Sequence, residues 1–128
     1  MALQFDTTTR NNFLNQIVND APSGYLIFYS GTPPSSVAAS LVGTTVLVEM
    51  PLSSTIGTVS GGVLTFNAIT QTNAIATGTA AFWRISNSAK NTYYVQGLVT
   101  SDINATPTTF TSGTPIQATS LTITAPGA

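Results

Sequence analysis

The chain divides into two regimes of hydrophobic spacing. Phe13, Leu14, Ile17, Val18 and Ala21 recur at helical intervals and form one apolar stripe. Arg10, Asn11, Asn15, Gln16 and Asn19 are expected on the opposite side. Thr7, Thr8 or Thr9 can cap this helix, Asp6 is favourable near its N-terminus, and Pro22, Ser23 and Gly24 stop it. The pattern predicts a helix over about residues 8–20. It has two readings: a plug for one end of a sheet core, or an arm that packs on a neighbouring molecule.

After Gly24 the period becomes that of strands. Tyr25 to Tyr29 is a continuous apolar run, as expected of a strand buried on both faces, and Gly31, Pro33 and Pro34 break it. Ser35 to Val42 reads as a loop or one weak helical turn. Thr44 to Met50 alternates, with Val46, Val48 and Met50 on one face and Leu47 and Glu49 on the other, and Pro51 ends it. Ser60-Gly61-Gly62 is a hairpin turn leading into Val63–Asn67, where Leu64 and Phe66 share a face. Thr79–Ser86 and Thr92–Thr100 flank the polar connection 87–91 and pair as a hairpin. Ala81, Trp83 and Ile85 are expected on one face of its first arm, and Tyr93, Val95, Gly97 and Val99 on one face of its second. Two late strands, Thr106–Thr111 and Ser120–Thr124, complete the series, with Leu121 and Ile123 turned inward.

About seven or eight such segments joined by short turn-rich links point to a mostly β fold, an antiparallel sandwich or jelly roll with one short N-terminal helix. The strands lie between about residues 25 and 124, and the 128 residues fit a single domain, 1–128. A hydrophobic fraction of 42% supports a real core.

Charge changes the picture more than hydrophobicity does. Only 5% of residues are charged, three basic and four acidic, for a net charge of −1. Such a chain lacks the clustered Lys and Arg that nucleic acid or an anionic membrane surface demands. Its polar surface must come from Thr, Ser, Asn and Gln, which gives little charge repulsion against association. There is no Cys, so no disulfide framework is available. No signal-peptide or transmembrane pattern is visible, and synthesis in the cytoplasm is expected.

Candidate chemistry is sparse. With neither His nor Cys, the commonest general base and the zinc and thiol ligands are missing, and no enzymatic role, metal or cofactor is expected. Glu49 and Asp102 are the one carboxylate pair that a glycosidase reading could use, and nothing in the sequence brings them together. Arg84, beside Trp83, either stacks on an aromatic ring, pairs with Glu49, or anchors a contact between subunits. Trp83, Tyr93 and Tyr94 suit a sugar-stacking platform, but cross-strand aromatic packing explains them more simply.

The succession TTTRNNFLNQIVNDA, LIFYSGTPP, LVEMPLSS, GVLTFN, ATGTAAFWRIS and TYYVQG resembles a small family of structural proteins encoded by tailed phages and prophages. The likeness runs over most of the chain and rests on the order of segments rather than on a catalytic motif. It is similar in character to capsid decoration, or cement, proteins. The resemblance implies a virion protein on the outer surface of the head, whose partners are the major capsid protein and further copies of itself as a dimer or trimer. Many modest repeated contacts then hold the shell through avidity. A tail, fibre or adaptor component is one alternative, and a carbohydrate- or receptor-binding module another. The expected contact residues are Phe5 and Phe13 in the N-terminal segment, Gly31, Pro33 and Pro34 in the loop, Arg84, and Leu121 and Ile123 in the last strand.

Overall fold

A computed structural model describes residues 3–37, 39–99, 105–106, 109–118 and 122–125. It is mostly β, with one helix and several antiparallel sheets.

The helix α1 spans Thr7–Asp20. Its cap is Asp6 rather than one of the threonines. Asp6 is extended, and its carboxylate accepts from the Thr9 amide at 2.7 Å. A carboxylate both fills an orphan donor and meets the positive end of the helix dipole, an advantage a hydroxyl lacks. At the other end Ala21 donates to the Ile17 carbonyl and Gly24 to that of Ala21. Gly24 lies against the backbone of Ser86, where no Cβ would fit.

Leu14 and Ala21 are buried and Ile17 and Val18 half-buried, as the stripe predicts. Phe13 lies at its margin and is 43% exposed. Arg10, expected on the solvent side, is buried. Its position four residues before Leu14 puts it on the apolar face, and spacing prevails over charge.

The strands are β1 (Tyr25–Ser30), β2 (Thr45–Pro51), β3 (Gly57–Ser60), β4 (Val63–Phe66), β5 (Thr72–Asn73) and β6 (Gly78–Thr79). They continue with β7 (Phe82–Ser86), β8 (Tyr93–Leu98), β9 (Ala105–Thr106), β10 (Thr109–Phe110), β11 (Pro115–Ala118) and β12 (Thr122–Thr124). Four sheets result: β2-β1-β7-β8, β12-β4-β3, β5-β11-β9 and β10-β6. The expected hairpin of β7 and β8 forms, and Asn87 organises its turn by accepting from the Asn91 amide and donating to the Asn91 Oδ1. Gly61 and Gly62, at φ of 60° and 78°, make the two-residue turn between β3 and β4. Strands β3, β5 and β11 have no counterpart in the sequence reading. The predicted Thr79–Ser86 strand divides into β6 and β7, which lie in different sheets.

The four-stranded sheet has two apolar faces. On the first, Leu26, Phe28, Met50, Trp83 and Ile85 join Leu14 of α1, Leu64 of β4, Phe110 of β10 and Ile116 of β11 in the main core. Burying one such aliphatic or phenyl side chain stabilises the fold by about 1.5–3 kcal/mol. On the second, Ile27, Tyr29 and Phe82 form a smaller cluster with Tyr25, Leu41, Val46, Ala81 and Tyr93.

Three expectations of strict alternation fail, two of them at register shifts. The β1–β2 register shifts between Phe28 and Tyr29, so Leu47 joins Val48 and Met50 in the main core while Val46 crosses to the second face. The β7–β8 register shifts between Ile85 and Ser86. Tyr94 therefore joins Val95 at the main core, and Tyr93 crosses over. Ala81 lies with the second cluster, separated from Trp83 and Ile85. One extra residue on one strand inverts the face of everything beyond it.

Candidate functional site

Two places gather the side chains that the sequence singled out. The first is the second face of the four-stranded sheet, covered by the loop 31–43. Register lays Glu49, Ile27, Arg84 and Gln96 in one row across β2, β1, β7 and β8. Ile27 thus stands between Glu49 and Arg84. Two strand spacings separate them by roughly 10 Å, and the anticipated ion pair does not form. Glu49 instead meets Lys90 at 3.3 Å, and the Lys90 ammonium also lies 4.8 Å from the centre of the Tyr25 ring.

Arg84 is 2% exposed. Its Nε donates to Gln96 Oε1 at 2.9 Å, and its Nη2 to the carbonyls of Ala39 at 3.0 Å and Ser36 at 3.4 Å. Its Cζ lies 5.0 Å from the centre of the Tyr93 ring, which realises the aromatic stacking expected of it. Gln96 in turn donates to the Pro34 carbonyl at 3.1 Å. Two adjacent side chains of β7 and β8 thereby hold the loop through three of its carbonyls, those of Pro34, Ser36 and Ala39. Gly31, at φ of 99°, packs so closely on Gly43 and Thr44 that the two ends of the loop meet.

So the structure brings Gly31, Pro33, Pro34 and Arg84 into one assembly. Pro33 and Pro34 are half-buried, and Arg84 lies beneath the loop with its Nε and Nη2 donors directed to this chain. Beside it, Ala39, Ser40, Leu41, Arg84, Asn91 and Tyr93 line an open cleft of about 340 Å³. The Tyr29 hydroxyl in the same region is held protonated well above the ordinary tyrosine range, first by burial and then by neighbouring Tyr93.

The second place is the N-terminal segment with α1. Phe5 and Phe13 meet edge to face, with ring centres 5.3 Å apart. Leu3, 77% exposed, lies two residues before Phe5 in the same segment. Arg10 on the buried side reaches the Ala125 carbonyl just beyond β12, and Asn11 Oδ1 accepts from the Gly62 amide at 2.7 Å. Ile123, half-buried, packs on the main core from β12. Leu121 lies outside the described residues, as does Asp102, the possible partner of Glu49.

Trp83 is 1% exposed and belongs to the main core. Among the described residues no group of three His, Cys, Asp or Glu side chains gathers as a metal site would require, and no helix is long and apolar enough to cross a membrane. Sequence reasoning did not pick out Gln96 or Asn91. The one signal pointing to Gln96 was its place across from Arg84 in the predicted hairpin.

Comparison with known proteins returned no match: no family model fits the chain, and no curated protein or solved structure aligns with it significantly.

Proposed function

We propose that this chain is a phage virion structural protein, a decoration or cement protein that binds the outside of the head shell and stabilises it through oligomeric contacts. The observation that carries the reading is a surface almost without charge on which Leu3, Phe13, Val42, Ile75 and Leu98 stand open as large apolar side chains. A surface of this kind offers apolar contact and hydrogen-bonding side chains with little repulsion to overcome, which suits a protein covered by neighbours in an assembly. The Phe5–Phe13 pair, with Phe13 43% exposed and Phe5 half-buried, supplies an aromatic anchor outside the main core, where contacts with a neighbour cost no rearrangement of that core.

The same proposal reads the sheets as a sandwich of the jelly-roll kind, the four-stranded sheet forming one layer and the smaller sheets the other. The shared main core, with members from β1, β4, β10 and β11, supports it. The sugar-binding alternative loses ground because its central aromatic, Trp83, is enclosed.

The test is quantitative mass spectrometry of purified particles, counting this chain against the major capsid protein. A ratio near one, or a simple fraction of it, upholds the decoration role. A handful of copies per particle transfers the protein to the tail, and absence from the particle overturns a virion role altogether.

A further inference from the structure

The cleft beside Arg84 holds a buried positive charge with no counter-ion among the described residues. Arginine stays ionised at any ordinary pH. Taking its charge out of water is costly unless the surroundings compensate. Three hydrogen bonds and the Tyr93 ring offset part of that cost. None of these partners carries a negative charge. Among the described acids, Glu49 is held by Lys90, Asp6 caps α1, and Asp20 accepts from Gln16, so none is paired with Arg84.

The donors of the guanidinium are unevenly used. Nε and Nη2 are engaged, whereas Nη1 has no hydrogen-bond partner among the described residues. The other polar groups of the cleft are biased the same way. Asn91 Oδ1 already accepts from Asn87 Nδ2 and from the Thr92 hydroxyl, which leaves its Nδ2 to donate. The Tyr93 hydroxyl donates to the Lys90 carbonyl, and its ring backs the guanidinium. Ser40 adds a hydroxyl that can turn either way. Ala39 and Leu41 supply apolar wall. A cleft of about 340 Å³ stands at the lower end of the range for small-molecule sites, about 300–1,000 Å³.

We propose that this cleft binds the carboxylate of a small organic acid, with Arg84 as the fixed cation and Asn91 and Ser40 as flanking donors. One guanidinium with free N–H groups matches a single carboxylate in charge and shape. A phosphate dianion would be left undercompensated by one buried cation, and a cation would be repelled by the Arg84 guanidinium. The anchoring of Arg84 by Gln96 and by the loop carbonyls holds the charge in place before any ligand arrives, which lowers the ordering cost of binding.

The test is an NMR titration of the full 128-residue chain, following the Arg84 Nε–H signal and the amides of Leu41, Asn91 and Tyr93. The probes are sodium acetate and sodium glucuronate, with glucose as the neutral counterpart of glucuronate and sodium chloride at matched ionic strength. Both carboxylates are expected to give saturable shifts at these four positions, and glucose and chloride none. Because Arg84→Gln can disturb the loop, the deciding variant is Asn91→Asp. It keeps the acceptor that Asn87 uses, removes the free donor, and places a negative charge in the cleft. It is expected to weaken both acids by at least about tenfold, the loss of one charge-assisted hydrogen bond. Shifts that fail to saturate, that chloride reproduces, or that persist at equal affinity in Asn91→Asp would overturn the proposal.

Discussion

The Arg10 guanidinium lies directly over Gly62, so that a Cβ on the glycine would fall within the guanidinium itself. One residue belongs to the buried side of α1 and the other to the turn between β3 and β4. The Gly62 carbonyl accepts from the Ala125 amide, and the Ala125 carbonyl accepts from Arg10 Nη2 at 3.4 Å. Helix, hairpin and last strand are therefore joined at one point.

Substitution at this point separates two effects of glycine. Gly62→Ala must hold alanine at φ of 78° and displace Arg10 from its bond to Ala125. A loss of about 2–3 kcal/mol in urea unfolding is expected. Gly61→Ala has a φ of 60° but open space around it, so only the backbone cost of about 1 kcal/mol applies. Equal losses for the two variants would remove the role given to Arg10.

Asp6 gives the start of α1 a pH dependence. Hydrogen bonds from Thr9 hold its carboxyl below the ordinary range. A group with a depressed folded pKa contributes stability above its unfolded value near 3.8, and that contribution fades as pH falls through the folded value. Asp6→Asn keeps a capping acceptor and abolishes this acid-side slope, whereas Asp6→Ala lowers the unfolding midpoint at neutral pH as well. Circular dichroism melts across the acid range distinguish the two.

Tyr29 works in the opposite direction. Its folded pKa is raised by burial, and by Tyr93 and Glu49 nearby. The unfolded chain therefore loses its phenolic proton first, near the ordinary value of 10.0. Stability is complete below that pH and declines as pH rises above it. Tyr29→Phe should flatten the alkaline limb of a stability–pH curve, and an unchanged limb would assign the decline to other tyrosines.

Arg84→Met removes the side chain that holds the loop 31–43. Gln96 Oε1 and the carbonyls of Ser36 and Ala39 then lose their donor. A loss of about 2–4 kcal/mol is expected, together with faster proteolysis within the loop. Arg84→Lys should recover only part of this, because an ammonium cannot span the same three acceptors from a planar fork.

Phe13→Ser tests the proposed assembly surface. The ring is 43% exposed and its packing is mainly the edge-to-face pair with Phe5, so the fold should lose only about 1 kcal/mol. Binding to shells lacking this protein should weaken at least about tenfold if the ring is buried at the contact. Full binding by a folded Phe13→Ser protein would move the contact elsewhere.

Much of this architecture was legible in one dimension. The helix over 7–20, the buried β1, the Gly61-Gly62 turn and the β7–β8 hairpin all arise from local rules of spacing and turn chemistry. The short strand β5 was not, because two residues carry no periodicity and pair only where a core already brings them together.

What the sequence alone determined was a nearly uncharged, mostly β chain with an amphipathic N-terminal helix, since composition and hydrophobic period depend only on neighbours along the chain. Only the tertiary structure decided that Val46 and Tyr93 face away from Val48 and Val95, because a bulge is set by the partner strand's register. It also decided that Arg84 lies beneath a loop contributed from some 45 residues earlier in the chain, out of reach of Glu49. A side chain's burial and its partners are settled by what distant segments bring to it, and no local pattern encodes that.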